Sequence, residues 1–173
     1  MQILRYTSRA QGAIEQDKNS YVFISDIDFK TKIKNGEFLE WHKWPLGYYG
    51  TEKKSIIESI TQGRNAIVDL DANAALQLTH VLKQAEVCCA DILLSPVDSA
   101  LLRSPADLDY AAEKLIERIL TRGRGEDKAE IQLRKQKAIE YLAKRDLFSF
   151  CITNPEGNPL TAAERIHTLV RER

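Results

Sequence analysis

Gly36-Glu-Phe-Leu-Glu-Trp-His-Lys-Trp-Pro-Leu-Gly-Tyr-Tyr-Gly-Thr51 is the stretch on which the reading of this chain turns. It gathers two Trp, two Tyr and a Phe around the carboxylate of Glu40 and closes on Gly47-Tyr48-Tyr49-Gly50-Thr51. Flat aromatic faces, phenolic hydroxyls, an acid and a glycine-bounded turn suit a flat, polar, hydrogen-bonding ligand. The same residues also suit a small aromatic core beneath a hairpin, since aromatics fill cores more often than they line ligand platforms.

The flanks read as helices. Ser25-Asp26-Ile27-Asp28 has the form of a capping box, in which a side chain satisfies the free amides of a first helical turn. The helix it opens carries Phe29 and Ile33 on one face and stops at Asn35-Gly36. Thr51 is positioned to cap a second helix, with Ile56, Ile57 and Ile60 inward and Gly63 at its end. With a short alternating strand at Tyr21–Ile24, residues 20–62 read as a small α+β lid. Before it, Met1–Leu4 reads as a strand end and Ala10–Ser20 as a polar loop.

Further along, Ala66–Asp71 is a short apolar run with acids at its end. In a parallel sheet, ligands bind outside the carboxyl ends of strands, so Asp69 and Asp71 are well sited for chemistry. A helix bearing Ala75, Leu78, Val81 and Leu82 follows, then a strand over Val87–Leu94. This alternation predicts an α/β domain. Ser104-Pro105-Ala106-Asp107 opens a helix with Leu108, Ala112, Leu115, Ile116 and Ile119 on its apolar face. After Arg122-Gly123-Arg124-Gly125 come a helix from Lys128 to Lys144, a strand over Leu147–Ile152, and a last helix from the capping box Thr161–Glu164.

Composition narrows the function classes. The 173 residues suffice for one compact domain with a real core. Lys plus Arg and Asp plus Glu both number 25, so no global field steers the chain toward nucleic acid or an anionic membrane. No apolar run approaches the roughly 20 residues of a membrane-spanning helix, and the start turns polar too early for a secretory signal. Cys88, Cys89 and Cys151 do not make a disulfide framework or a zinc site, and Cys88 and Cys89 read as buried reduced thiols. The scattered histidines argue against a metal site. The expected compartment is the cytoplasm, or a host cytosol for an exported protein.

The order Glu37-Phe38-Leu39-Glu40-Trp41, a short gap, then Gly47-Tyr48-Tyr49-Gly50-Thr51 resembles the monophosphate-binding region of guanylate kinases. The resemblance extends with gaps from Leu4 nearly to the C-terminus. It implies an α/β fold of the P-loop-kinase type, a parallel sheet with helices, and a GMP-binding lid at 20–62. It also implies that Glu40 and Asp71 accept the adjacent N1–H and amine donors of guanine, that Thr51 reads its O6 edge, and that Arg9, Tyr21 and Tyr49 hold the phosphate. An Arg fork matches phosphate oxygens two at a time, and phenols add neutral donors. Gly12 stands where a second phosphate-binding Arg is expected, and Arg5 where a small hydroxyl residue is usual, a relocation of the positive charge. Residues 121–135 match the lid over the ATP phosphates, with Arg122, Arg124, Arg134 and Lys135 as its cations. Asp69 matches a position near magnesium, Asn154 one near adenine, and Ser95–Asp107 is an insertion.

Guanylate kinases begin with a strand and a loop GxxGxGK[ST], and these 173 residues contain no such motif. That loop supplies backbone amides, a Lys and a magnesium-binding hydroxyl, and phosphoryl transfer depends on such positioning and charge stabilisation. The resulting expectation is a single domain over 1–173 that lacks the first strand and the phosphate loop. It binds GMP or a related guanine nucleotide as an inactive pseudokinase, sensor or adaptor, without nucleic acid or membrane partners. One alternative is a guanylate kinase whose loop comes from a missing segment or another chain, with ATP and magnesium as cofactors. Another is a scaffold that binds a phosphorylated protein, and a third is different phosphate chemistry by Arg122, Arg124 and Asp69.

Overall fold

The computed structural model describes residues 3–11, 21–44, 46–123 and 127–171. The sequence predicts one compact domain over 1–173; the described residues group into two compact units, 1–88 and 89–173.

The first unit is built on a mixed sheet with strand order β2-β1-β4-β3. Its strands are β1 (Arg5–Thr7), β2 (Val22–Phe23), β3 (Phe38–Trp44) and β4 (Gly47–Glu52). β1 runs parallel to β2 and antiparallel to β4, and β3 and β4 form an antiparallel hairpin. The sheet therefore takes in Arg5–Thr7 as well as the 20–62 segment.

Side chains alternate between the two faces of a strand. One face packs under helix α1 (Asp26–Lys34), whose Phe29 is fully buried. The Phe29 ring stacks on Phe38 at 4.6 Å and on Tyr48 at 5.4 Å, and Tyr6 meets Phe38 edge-on at 5.7 Å. A Cβ at Gly50 would lie 3.0 Å from the Phe29 ring, so this face needs glycine there. Ser25 caps α1 by accepting from the Asp28 amide, and the chain leaves the helix through Asn35 and Gly36, as the sequence predicts.

A β-bulge separates the faces. Phe38 pairs with Glu52, but Glu40 pairs with Thr51, so two residues of β3 advance against one of β4. The extra residue reverses the alternation. Phe38 consequently joins the α1 side, while Glu40 and His42 share the opposite face with Tyr49 and Thr51.

Two helices complete this unit, α2 (Lys53–Thr61) and α3 (Ala72–Gln84). Thr51 does not cap α2: it lies within β4, and the N-cap is Glu52, with no side-chain bond. The buried face of α2 is Ser55, Ile56 and Ser59, while Ile57 and Ile60 are exposed rather than inward. Ser55 sets that face, accepting from the Leu4 amide and donating to the Glu52 carbonyl. The strand predicted at Ala66–Asp71 does not form. No strand of the described residues pairs with it, so its backbone has no ladder partner, and Ile67 is 74% exposed.

The second unit holds a parallel pair, β5 (Ile92–Ser95) and β6 (Phe150–Thr153), with helices α4 (Pro105–Arg122), α5 (Lys128–Ala143) and α6 (Pro159–Arg171). The extended parallel sheet predicted from the sequence is thus a mixed four-stranded sheet and a separate two-stranded one among the described residues. Both strands of the pair start later than predicted. A 3-10 turn occupies Arg145–Leu147, and Asp91 ties the approach by accepting from the Ser149 amide at 3.0 Å. The 95–107 segment, expected to be an insertion, contributes to the core: Leu102 is buried with Ala111 and Leu142, and Val97 packs against them. Ser104 caps α4 in a reciprocal capping box with Asp107, as predicted. Thr161 and Glu164 lie inside α6, which starts at Pro159, where a missing N–H costs nothing. Cys88 is exposed and Cys89 and Cys151 are half-buried, so the expected burial of the Cys88–Cys89 pair does not hold. No helix among the described residues is long and apolar enough to cross a membrane.

Candidate functional site

The sheet face away from α1 carries Arg5, Thr7, Glu40, His42, Tyr49 and Thr51. Thr7, Glu40 and Thr51 are buried, Glu40 at 2% exposure. A buried carboxylate is costly unless it is paired and hydrogen-bonded. Thr51 supplies the first partner, donating its hydroxyl to Glu40 Oε1 at 2.5 Å across the β3–β4 pair. The second oxygen, Oε2, lies 3.5 Å from His42 Nδ1. That is too long for a good hydrogen bond, and both atoms are buried without a hydrogen-bond partner among the described residues.

His42 reaches past Glu40 to a second acid. Its Nε2 donates to Asp71 Oδ2 at 2.9 Å. Asp71 is fixed from behind as the N-cap of α3, its Oδ1 accepting the Asn73 and Ala74 amides at 2.9 and 3.0 Å. The residue expected at a strand end is therefore placed by a helix start, and it still comes together with Glu40 and Thr51. Burial pulls the His42 imidazole down, but the hydrogen bond to Asp71 and the nearby Glu40 carboxylate outweigh it and raise it from 6.5 to about 9. Burial pushes Asp71 up, and its bonds from His42 and the α3 amides more than reverse this, so its carboxyl lies below the usual range. The imidazole also stacks on Tyr49 at 5.5 Å with 8° between the planes.

Tyr49 links this cluster to the phosphate residues expected from the sequence. Tyr21 meets Tyr49 edge-on at 5.7 Å, and the Arg5 guanidinium sits 4.3 Å over the Tyr21 ring. Burial pushes the Tyr21 hydroxyl up, so it stays a neutral donor. Arg5 is only 13% exposed; it donates to the Asp69 carbonyl and lies 3.7 Å from the Asp69 carboxylate. The Asp69 side chain is 97% exposed. Arg9 leaves β1 with its guanidinium 5.3 Å over Phe23, donating to the Ala10 carbonyl at 3.1 Å. Its backbone abuts Gly47, where a Cβ would come within 2.5 Å of the Arg9 nitrogen. Gly12 falls outside the described residues.

The residues expected as lid cations belong to the second unit. Arg122 ends α4 on the surface and Arg134 is exposed on α5, while Arg124 lies outside the described residues. Lys135 bonds Asp109 at 2.9 Å and Glu113 at 3.0 Å, which ties α5 to α4. Asn154 donates its amide to the Ser95 carbonyl at 2.7 Å and accepts from Arg118 at 2.9 Å through its own. The described residues hold no cluster of three or more His, Cys, Asp and Glu fit for a metal ion. An open groove of about 360 Å³, lined by residues including Gly36, Glu52 and Ile57, contains no member of the Glu40–Asp71 cluster.

His42 is the residue that sequence reading missed. It stands two positions after Glu40 in a strand, and that spacing places both on one face. Chemically, the face offers two carboxylates to a ligand with paired donors, two phenols, and a cation beyond them.

A family model described as guanylate kinase matches residues 2–98. The guanylate kinase of Mycoplasmopsis pulmonis is 32% identical over 165 residues, covering 95% of this chain and 76% of that protein. The guanylate kinase of Lactiplantibacillus plantarum is 30% identical over 166 residues, covering 95% of this chain and 70% of its own length. A crystal structure of guanylate kinase from Anaplasma phagocytophilum superposes with a TM-score of 0.70 at 17% identity, over 99% of this chain and 74% of that one, which speaks for the fold. With the family model spanning more than half the chain and relatives matching nearly all of it, this chain belongs to the guanylate kinase family.

Proposed function

We propose that the first unit is the GMP site of a guanylate kinase that transfers a phosphoryl group from ATP to GMP, its phosphate loop coming from sequence outside these 173 residues. The observation that carries this is the convergence of Glu40, from β3, and Asp71, from the start of α3, on the ring of His42. Guanine presents N1–H and an exocyclic amine side by side, and two positioned acceptors match that edge. Thr51 holds Glu40 in place by donating its hydroxyl to Oε1. Tyr21 and Tyr49, with Arg5 and Arg9 nearby, supply neutral donors and positive charge for a monophosphate. The relatives bear the guanylate kinase name, and they are longer than the region matched.

In such an enzyme the chain binds and orients the acceptor nucleotide, which accounts for much of phosphoryl-transfer catalysis. ATP and magnesium supply the donor phosphoryl and its charge neutralisation. Asp69, exposed and beside Arg5, is a poor cation ligand by itself.

A second reading is a sensor or adaptor that binds GMP without turnover. One observation favours it: Gly12 stands where the resemblance expects the second phosphate-binding Arg. A coupled assay for GMP-dependent formation of ADP from ATP with magnesium separates the two. The kinase reading expects turnover when a segment or chain bearing the phosphate loop is present, and none without it. GMP binding with no turnover in either case contradicts it and leaves the sensor.

A further inference from the structure

We propose that His42 is an internal occupant of the base seat, so that a guanine ligand reaches Glu40 and Asp71 only by displacing it. The inference rests on the guanine reading above and deepens it. One ring addresses both acids: Nε2 donates to Asp71 Oδ2 at 2.9 Å, and Nδ1 points to Glu40 Oε2 at 3.5 Å. These are the two acceptors that a guanine edge requires. Glu40 Oε2 has no hydrogen-bond partner among the described residues and is closed off from solvent, although its side chain is held in place by Thr51. An acceptor aimed at a ligand but closed to solvent beside an imidazole stays unavailable until the imidazole leaves. His42 itself is 27% exposed, so it has a path outward.

The groups that face the ring are Glu40 from its own strand, Tyr49 from β4 and Asp71 from the start of α3. The first and last are acids, and they hold the imidazole in its charged form. A neutral base must therefore replace a cation between two carboxylates. The apparent affinity for a ligand of the open state falls by the fraction of molecules in that state. A charge-assisted hydrogen bond to be broken makes that fraction small.

Titration of the full chain with GMP tests this in three forms: wild type, His42→Ala and His42→Gln. The expected result is tighter binding by His42→Ala, by about ten- to a hundredfold, with His42→Gln in between because its amide keeps a donor for Asp71 but carries no charge. In wild type, ring nitrogen NMR signals should show a doubly protonated His42 in the free protein that loses its Asp71 bond on GMP addition. Removing the imidazole exposes two acids to each other; should His42→Ala fail to fold, His42→Gln decides alone. Wild type that binds GMP as tightly as the variants, or more tightly, overturns the proposal and leaves the guanine site standing. Absence of GMP binding by all three overturns both.

Discussion

Thr51 donates its single hydroxyl proton to Glu40, which leaves Glu40 one open acceptor and puts a charged ring beside it. The His42–Asp71 bond then couples the site to pH. His42 is raised from 6.5 to about 9, so its contribution to stability is complete below about 6.5 and is lost as pH rises through about 9. Asp71 is lowered from 3.8, so its contribution is present above that value and is lost as pH falls through the lower one. Asp71→Asn isolates the charge, because Asn caps a helix about as well as Asp. The variant should be less stable in urea by about 1.5–3 kcal/mol between roughly pH 4 and 6.5, with the gap closing above about pH 9. A gap independent of pH would mean that the pair is not ionic. At this scale the resemblance to a known pattern singled out Glu40, Tyr49 and Asp71, and the structure brings all three together around His42. The partner of Thr51 was not legible: a hydroxyl before a helical run reads as a cap, and cross-strand pairing with a buried acid won. His42 escaped because the pattern assigned it no role.

Among the elements, the hairpin matters most, and it depends on a bulge and a glycine. Gly47 has φ +153°, a conformation that disfavours side chains, and it packs on the backbone of Arg9. Gly47→Ala should destabilise the fold by about 1–3 kcal/mol and loosen the β1–β4 pairing where Arg9 leaves the sheet. Urea unfolding with amide exchange at Ser8 and Tyr48, which bond each other across that pair, reads both effects. Unchanged stability would show that the close approach is not a constraint. Capped helices such as α1 and α4 were legible because their signals are local: Ser25 and Ser104 each meet a partner three residues on. The bulge at Phe38–Glu40 was not, since it depends on register against β4. Nor was the fate of Ala66–Asp71, because a short apolar run becomes a strand only where another strand offers a ladder.

For the whole molecule, α/β character and family were legible, while the division into units 1–88 and 89–173 was not, because linker composition between Glu86 and Ala90 gives no break signal. Arg122, Arg134 and Lys135 lie in the second unit, and Glu40 and Asp71 in the first. The central claim, a guanine-selective monophosphate site on the first unit, is tested most directly by calorimetric titration of the full chain with GMP and with AMP, for wild type and Glu40→Gln. The account predicts GMP binding that is selective over AMP and weakened about ten- to a hundredfold by Glu40→Gln, as expected for loss of a charge-assisted hydrogen bond. Equal binding of GMP and AMP, or GMP affinity unchanged in Glu40→Gln, would contradict it.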